Sequence, residues 1–310
     1  MTDFLHKAKS VIIGHAVGDA LGVPVEFSDR EELEKAPVTD MEGYGTYQVP
    51  KGAWSDDTSM SLCALDCLDK DYIDWDGIMG NFARWLLSGE FTPTGVTFDA
   101  GRTCEKAVYN YCLNHKKALE CGLSDEMSNG NGSLMRIHPF VLYGYKRQLC
   151  YSERVKLTEN ASALTHAHTR SRAGCLIYML VLESLISNPN KDAITHALKE
   201  AQMHLQNYGE PKHYERIFGD DFKNIPCNKI KSTGYVVDTL EAAIWCLLNT
   251  SSYEECVLKA VNLGGDTDTV GAIAGGLAGA LYGYDAIPKG WRNTLIKREY
   301  IEKLCEKAFG

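Results

Sequence analysis

Apolar and polar residues nowhere alternate for long along this chain, which removes half-buried strands and leaves an all-α fold class. Paired cysteines are missing as well. The eleven cysteines contain no C-x-x-C pair, and the start Met1-Thr-Asp-Phe is charged too early for a secretory leader, so reduced thiols in a cytoplasmic protein are expected. Cys63 and Cys67, four apart on one helix face, read as core packing rather than metal ligands. There is no basic excess. A net charge of −9 argues against a nucleic-acid backbone as the main partner and favours a small polar substrate. No linker or low-complexity stretch divides the 310 residues, so one domain over 1–310, acting as a monomer, is expected. The run Val270 to Gly283 has no charged or strongly polar side chain, yet its fourteen residues make a helix too short for a bilayer core. It is a buried core helix, and no membrane anchor is expected.

That run opens with Gly264-Gly265-Asp266-Thr267-Asp268-Thr269. Asp266 and Asp268, two apart, would point to different sides of a helix, so both are expected in the turn before it, facing one point. Alone, they are equally well a helix cap and a solvated acid. Ser55-Asp56-Asp57-Thr58, ahead of the apolar stretch Met60 to Leu68, repeats the arrangement. Four carboxylates at two helix mouths exceed what capping requires, and oxygen-only ligands favour Mg²⁺ or Mn²⁺, with room for two ions. Gly271, Gly275, Gly279 and Gly283 line one helix face; Gly14, Gly18 and Gly22 line another within Phe4 to Gly22. Two such helices can pack closely and bring Gly18 to Phe27 near the Asp266 mouth. Pro24 ends the first helix and puts Glu26 on a loop, the better candidate for chemistry, while Asp19 inside an apolar helix reads as a hydrogen-bonding strut.

Residues 28–54 are expected as an irregular surface excursion able to cover a site. Helices are expected over Trp75 to Leu87, from a cap at Asp99 through Tyr111, after His168 through Ile186, over Asp192 to Leu205, led by Gly234 to Thr239 through Leu248, and as a charged peripheral helix over Tyr300 to Phe309, with Tyr253 to Leu263 leading to the Asp266 mouth. Asn129-Gly130-Asn131-Gly132-Ser133-Leu134-Met135-Arg136 opens a further apolar segment to Tyr145. Glycines at a helix start suit an anion such as phosphate, and they equally suit a plain turn. The pattern is neither a Walker A loop nor G-x-G-x-x-G after a strand, so nucleotide triphosphate chemistry is not indicated. His166 and His168, two apart, do not share a helix face and carry no zinc signature, which leaves His166 as a substrate-facing candidate.

Seven short motifs in this order resemble the ADP-ribosylglycohydrolases, which include the dinitrogenase reductase-activating glycohydrolases. They are G-D-A-L-G-x-x-x-E at Gly18 to Glu26, W-S-D-D-T at Trp54 to Thr58, F-D-x-G at Phe98 to Gly101, G-N-G-S-L-M-R at Gly130 to Arg136, T-H at Thr165 and His166, G-Y-V-V at Gly234 to Val237 and G-G-D-T-D-T at Gly264 to Thr269. The resemblance implies an all-helical fold around a binuclear Mg²⁺ or Mn²⁺ centre that hydrolyses the bond between ADP-ribose and an acceptor. By matching position it implies Ser55, Asp56, Asp57, Asp266, Asp268 and Thr269 as metal ligands, with Glu26 near the second ion. Gly130, Asn131, Gly132, Ser133 and Met135 would cradle the diphosphate and ribose, and His166 and Tyr235 would line the cleft. Glu26, Asp57, Asp99 and Asp268 are the residues expected to carry the chemistry, Asp99 as the partner of a guanidinium. An ADP-ribosylated arginine on a protein is the expected substrate. The alternatives are another ADP-ribosyl conjugate (serine, O-acetyl-ADP-ribose, nucleic acid), a binuclear phosphoesterase, and a non-catalytic ADP-ribose-binding or structural member of the fold.

Overall fold

A computed structural model describes residues 3–69, 71–206 and 208–310. Met1 and Thr2, the first residues of the start read above as no leader, lie outside them. The described residues form fourteen α-helices and no sheet. In chain order these are α1 Asp3–Gly22, α2 Arg30–Lys35, α3 Asp56–Leu65, α4 Trp75–Ser88, α5 Arg102–Cys112, α6 His138–Lys146, α7 Tyr151–Ala163, α8 Thr169–Ser187, α9 Lys191–Leu205, α10 Val236–Leu248, α11 Tyr253–Val261, α12 Thr267–Tyr282, α13 Lys289–Thr294 and α14 Arg298–Phe309. The all-α expectation is borne out. Within the irregular stretch 28–54 the charged segment α2 adds a helix that the sequence reading did not anticipate.

At the centre, α1 and α12 run antiparallel in near-backbone contact. A Cβ on Gly14 would lie 2.5 Å from the Gly275 carbonyl oxygen, one on Gly18 2.0 Å from that of Gly271, and one on Gly279 2.1 Å from that of Ser10. Real Cβ atoms do not approach so closely, so the two glycine faces are what permits this packing. Gly283 does not belong to the ladder. The helix ends at Tyr282, and Gly283 takes a left-handed φ of 85° as its cap, with open space around it. The far end of the seam brings Gly22 against the backbone of Asp268, which fixes the acidic mouth of α12 beside the exit of α1.

Aromatic side chains fill the space around this pair, with Trp54, Trp85, Phe82, Phe140, Tyr178 and Tyr253 all buried. Tyr253 donates its hydroxyl to the Gly14 carbonyl at 2.6 Å, tying α11 to the seam. The charged C-terminal helix α14 is less peripheral than its composition implies. It buries Ile301, Leu304, Cys305, Ala308 and Phe309 on one face, and Glu306 accepts from Lys9 of α1 at 2.6 Å.

Candidate active site

Asp19 sets the first helix mouth. Its Oδ1 accepts the Ser55 N–H at 2.8 Å, and its Oδ2 accepts the N–H and hydroxyl of Thr58 at 3.0 and 2.6 Å. With Ser55 Oγ accepting the Asp57 N–H at 3.4 Å, Asp19 and Ser55 together serve the open start of α3, which leaves the Asp56 and Asp57 carboxylates free of capping. The strut expected of Asp19 is what the fold contains.

The second mouth rests on a turn in which Gly264 and Gly265 both have φ of 73°, a conformation that side chains resist. Arg30 clamps this turn, donating through Nε to the Leu263 carbonyl at 2.7 Å and through Nη2 to that of Ile230 at 2.8 Å. Asp266 precedes α12, whereas Asp268 lies in its first turn rather than ahead of it. The expected convergence of Asp266 and Asp268 survives this correction. Glu26 follows a short 3₁₀ turn started by Val23-Pro24, and Glu26, Asp266 and Asp268 hold carboxylate oxygens within 4.8 Å of one another. Thr269 donates to Asp57 Oδ2 at 3.2 Å, and Ser55 Oγ lies 3.3 Å from the same oxygen.

Electrostatics make the cluster unusual. Glu26 Oε2, Asp57 Oδ1, Asp266 Oδ1 and Asp268 Oδ2 are buried with no hydrogen-bond partner, and among the described residues no Lys, Arg or His forms an ion pair with any of these acids or with Asp56. Burial, with neighbouring carboxylates adding repulsion, pushes Asp56, Asp57, Asp266 and Asp268 above the ordinary carboxylate range and Glu26 to about 9. Unpaired buried acids of this kind are destabilising unless a cation joins them, so the donor set fits a hard metal ion. All its atoms are oxygen.

These acids form one wall of a cavity of about 420 Å³. Glu26, Asp56, Asp266 and Thr269 line it, and Ser55, Asp57 and Asp268 stand buried behind them. Another wall is the turn at Gly130, Asn131 and Gly132, with Met135 and His166. Asn131 bridges the walls, donating through Nδ2 to Asp266 at 2.8 Å and to Thr239 at 2.9 Å. The turn is not a helix start. α6 begins only at His138, so its dipole is remote, although Gly132 and Ser133 donate their N–H to no protein acceptor among the described residues. The Ser133 hydroxyl points into the core, accepting from Ser162 Oγ at 2.9 Å, and the fully buried residue does not line the cavity. Tyr235 also sits aside: its backbone pairs with Gly130, while its ring, 5.9 Å from the Arg170 guanidinium, lines a neighbouring hollow of mixed charge with Lys212, His213, Asp238 and Glu241.

Asp99 does not cap a helix. Gly101 holds the N-cap position of α5 and no side chain caps that helix, whereas Asp99 takes a left-handed φ of 54° and its side chain lines the cavity. There it accepts the Tyr47 hydroxyl at 2.7 Å. Tyr47, whose ring packs 4.9 Å from Phe98, was not singled out in the sequence because nothing local marks it within an irregular loop. Phe27, Arg102, Thr103, Cys104 and Met127 also line the cavity without having been anticipated. Phe27 had a signal, directly following Glu26 in the motif segment.

An all-helical protein with an acidic, cation-ready cleft facing a glycine turn is the class that fold and site define. The ADP-ribosylglycohydrolase family matches over residues 1–310, and the chain belongs to that family of hydrolases. It is 34% identical over 310 residues to the ADP-ribosylarginine hydrolase Tri1 of Serratia proteamaculans, covering 99% of this chain and 80% of that one. It is 33% identical over 301 residues to the ADP-ribosyl-[dinitrogen reductase] glycohydrolase of Rhodospirillum rubrum, covering 94% and 92%. A solved structure described as an ADP-ribosylglycohydrolase-related protein complex superposes with a TM-score of 0.83 at 30% identity, covering 100% of this chain and 99% of that chain. The family expected from the short motifs is borne out.

Proposed function

We propose that this protein hydrolyses the bond between ADP-ribose and an arginine side chain, reversing mono-ADP-ribosylation of a protein, with two Mg²⁺ or Mn²⁺ ions in the acidic cleft. The observation that carries this reading is the set of buried carboxylates with unpartnered oxygens on one wall of a cavity whose other wall is a glycine turn. Two relatives with similar coverage are named for acting on ADP-ribosylarginine and on ADP-ribosylated dinitrogen reductase.

Ser55, Asp56, Asp57, Asp266, Asp268 and Thr269 would hold the cations, with Glu26 beside the second. When bound, such ions supply Lewis acidity to the ribose hydroxyls and lower the pKa of nearby water. The residues of the chain do the rest. Gly130, Asn131, Gly132 and Met135 seat the diphosphate and ribose, so that the anomeric carbon faces the acids across the cavity. Water adds to that carbon while its bond to the guanidine nitrogen breaks, the bonding pair going to nitrogen. Glu26, which a bound cation would keep ionised despite its burial, is placed to take the proton that water gives up, and Asp57 and Asp268, ionised in the same way, would keep negative charge near the ribose as positive charge develops on it. Asp99 offers a guanidinium a paired, charge-assisted contact, which a serine oxygen does not match.

Incubating the purified chain and Mg²⁺ or Mn²⁺ with ADP-ribosylated arginine, serine and DNA tests this. Release from arginine much faster than from the others, abolished by a chelator, is expected. Preference for serine would overturn the acceptor, and full activity in chelator would overturn the metal centre.

A further inference from the structure

Two motif residues, Arg136 and Thr165, have no task in the cavity, since neither lines it. Arg136 is 0% exposed and meets no carboxylate among the described residues. Its Nη1 donates to the Ala161 carbonyl at 3.0 Å, its Nη2 to Thr165 Oγ1 at 2.7 Å, and its guanidinium lies 4.9 Å from the Phe82 ring. Burying a cation without an acid is costly, so its directional donors are what the fold retains it for.

The Thr165 hydroxyl has one proton and two lone pairs. An arginine can only donate, so one lone pair is committed to Nη2. On the other side His166 Nδ1 stands 2.8 Å from the same oxygen. Cys104 is the competing neighbour of that hydroxyl, and a thiol sulfur is a weaker acceptor than an imidazole nitrogen. The proton therefore points at Nδ1. Burial, reinforced by the Arg136 charge, holds the His166 pKa at about 3, so the ring carries a single proton, and with Nδ1 accepting, that proton is on Nε2. Nε2 faces the glycine turn. A Cβ on Gly130 would lie 3.6 Å from it and one on Gly132 3.5 Å, and no protein atom accepts from it among the described residues. The backbone here is pinned too, with His166 N–H on the Ser162 carbonyl at 2.8 Å and the Thr165 carbonyl accepting from Leu123 at 2.9 Å.

We infer that Arg136 and Thr165 are positioning residues that lock His166 in its Nε2–H form, so that the imidazole presents one neutral N–H donor to an anionic phosphate-class oxygen seated on the Gly130 to Gly132 turn. The opposite tautomer would aim a lone pair at that oxygen and repel it. The donation rests on the reading of this turn as the diphosphate seat; the lock does not.

The lock is tested by long-range ¹H–¹⁵N correlation on the full-length, ¹⁵N-histidine-labelled protein, with His166 assigned through His166→Gln. The expected pattern is a protonated Nε2 and a bare Nδ1. An Nδ1–H pattern in the wild-type chain overturns the lock whatever any variant does. ADP-ribose added to saturation is expected to shift the Nε2 resonance. Binding that leaves that resonance unmoved overturns the donation. Thr165→Val is expected to mix the tautomers and weaken ADP-ribose at least tenfold, and Thr165→Ser, which keeps the hydroxyl, to restore both. Unchanged tautomer and affinity in Thr165→Val would also overturn the lock. If ADP-ribose binds nowhere on the chain, the functional reading fails instead, and the tautomer still decides the lock.

Discussion

Asp99 shows how one residue can satisfy two readings in sequence and only one in space. Its place ahead of α5 makes it an ordinary helix cap, yet its left-handed φ of 54° swings the carboxylate away from the helix toward Tyr47 and the cavity. Nothing in the local pattern signals a positive φ at an aspartate. Because it caps nothing, replacing it tests chemistry almost free of stability. Asp99→Asn is expected to slow hydrolysis of ADP-ribosyl-arginine at least tenfold, about 1.4 kcal/mol in the barrier, with an unchanged melting temperature. Steady-state rates beside a thermal melt check this, and wild-type rates would remove Asp99 from the acceptor site. Asp19 is the opposite case. A lone acid in an apolar helix had to be either strut or ligand, and its three accepted hydrogen bonds to α3 were legible as the need of a buried carboxylate for donors. Tyr47 and the inward hydroxyl of Ser133 were not legible, since both depend on contacts distant in sequence.

At the scale of elements, helical periodicity and the two glycine faces let the sequence foretell the α1–α12 seam, including its reach to the acidic mouth. What periodicity could not foretell were α2, α7 and the non-helical turn at Gly130, where short or polar segments take their shape from what they pack against. The seam is also where a small change should cost most. Gly18→Ala would set a methyl group 2.0 Å from the Gly271 carbonyl oxygen, an overlap that only separation of the helices relieves. A loss of about 3 kcal/mol is expected by chemical denaturation. A loss under about 1 kcal/mol would mean that the seam yields to a methyl group without parting. On α8, Glu183 is 8% exposed, and burial lifts its carboxyl to about 7 although Arg154 Nε lies 2.8 Å away, off the line of a hydrogen bond. Between the unfolded value near 4.5 and about 7 the folded chain keeps a proton that the unfolded chain has lost, so this group makes stability fall as pH rises through that window. Glu183→Gln is expected to flatten that fall and to stabilise the protein at pH 8 by about 1–3 kcal/mol. Equal slopes for the two proteins in melts from pH 4.5 to 8 would contradict it.

For the molecule as a whole, the acidic wall means that the ion-free fold carries repulsion that a bound cation removes. Adding Mg²⁺ or Mn²⁺ should therefore raise the melting temperature, by an amount corresponding to about 2.7 kcal/mol at a hundredfold excess over the dissociation constant. Chelator should reverse the gain. A melting curve indifferent to either ion, and to Mn²⁺ in particular at millimolar concentration, would speak against a metal in this cleft. No helix among the described residues is long and apolar enough to cross a membrane, in keeping with the fourteen-residue run read as core.

The antiparallel seam also bears on how the chain is made. Gly22 and Thr267, joined by a hydrogen bond of 2.8 Å, are 245 positions apart, so a ribosome delivers one half of the acidic cleft long before the other. Until α12 emerges, α1 has no second glycine face to meet, and Asp57 and Glu26 lack Asp266 and Asp268. Such distant pairing slows folding and prolongs exposure of unfinished surfaces. Chains that stop short of α12 should thus be inert toward metal and dependent on chaperones, and capture of a cation in this cleft would be one of the last events of biogenesis.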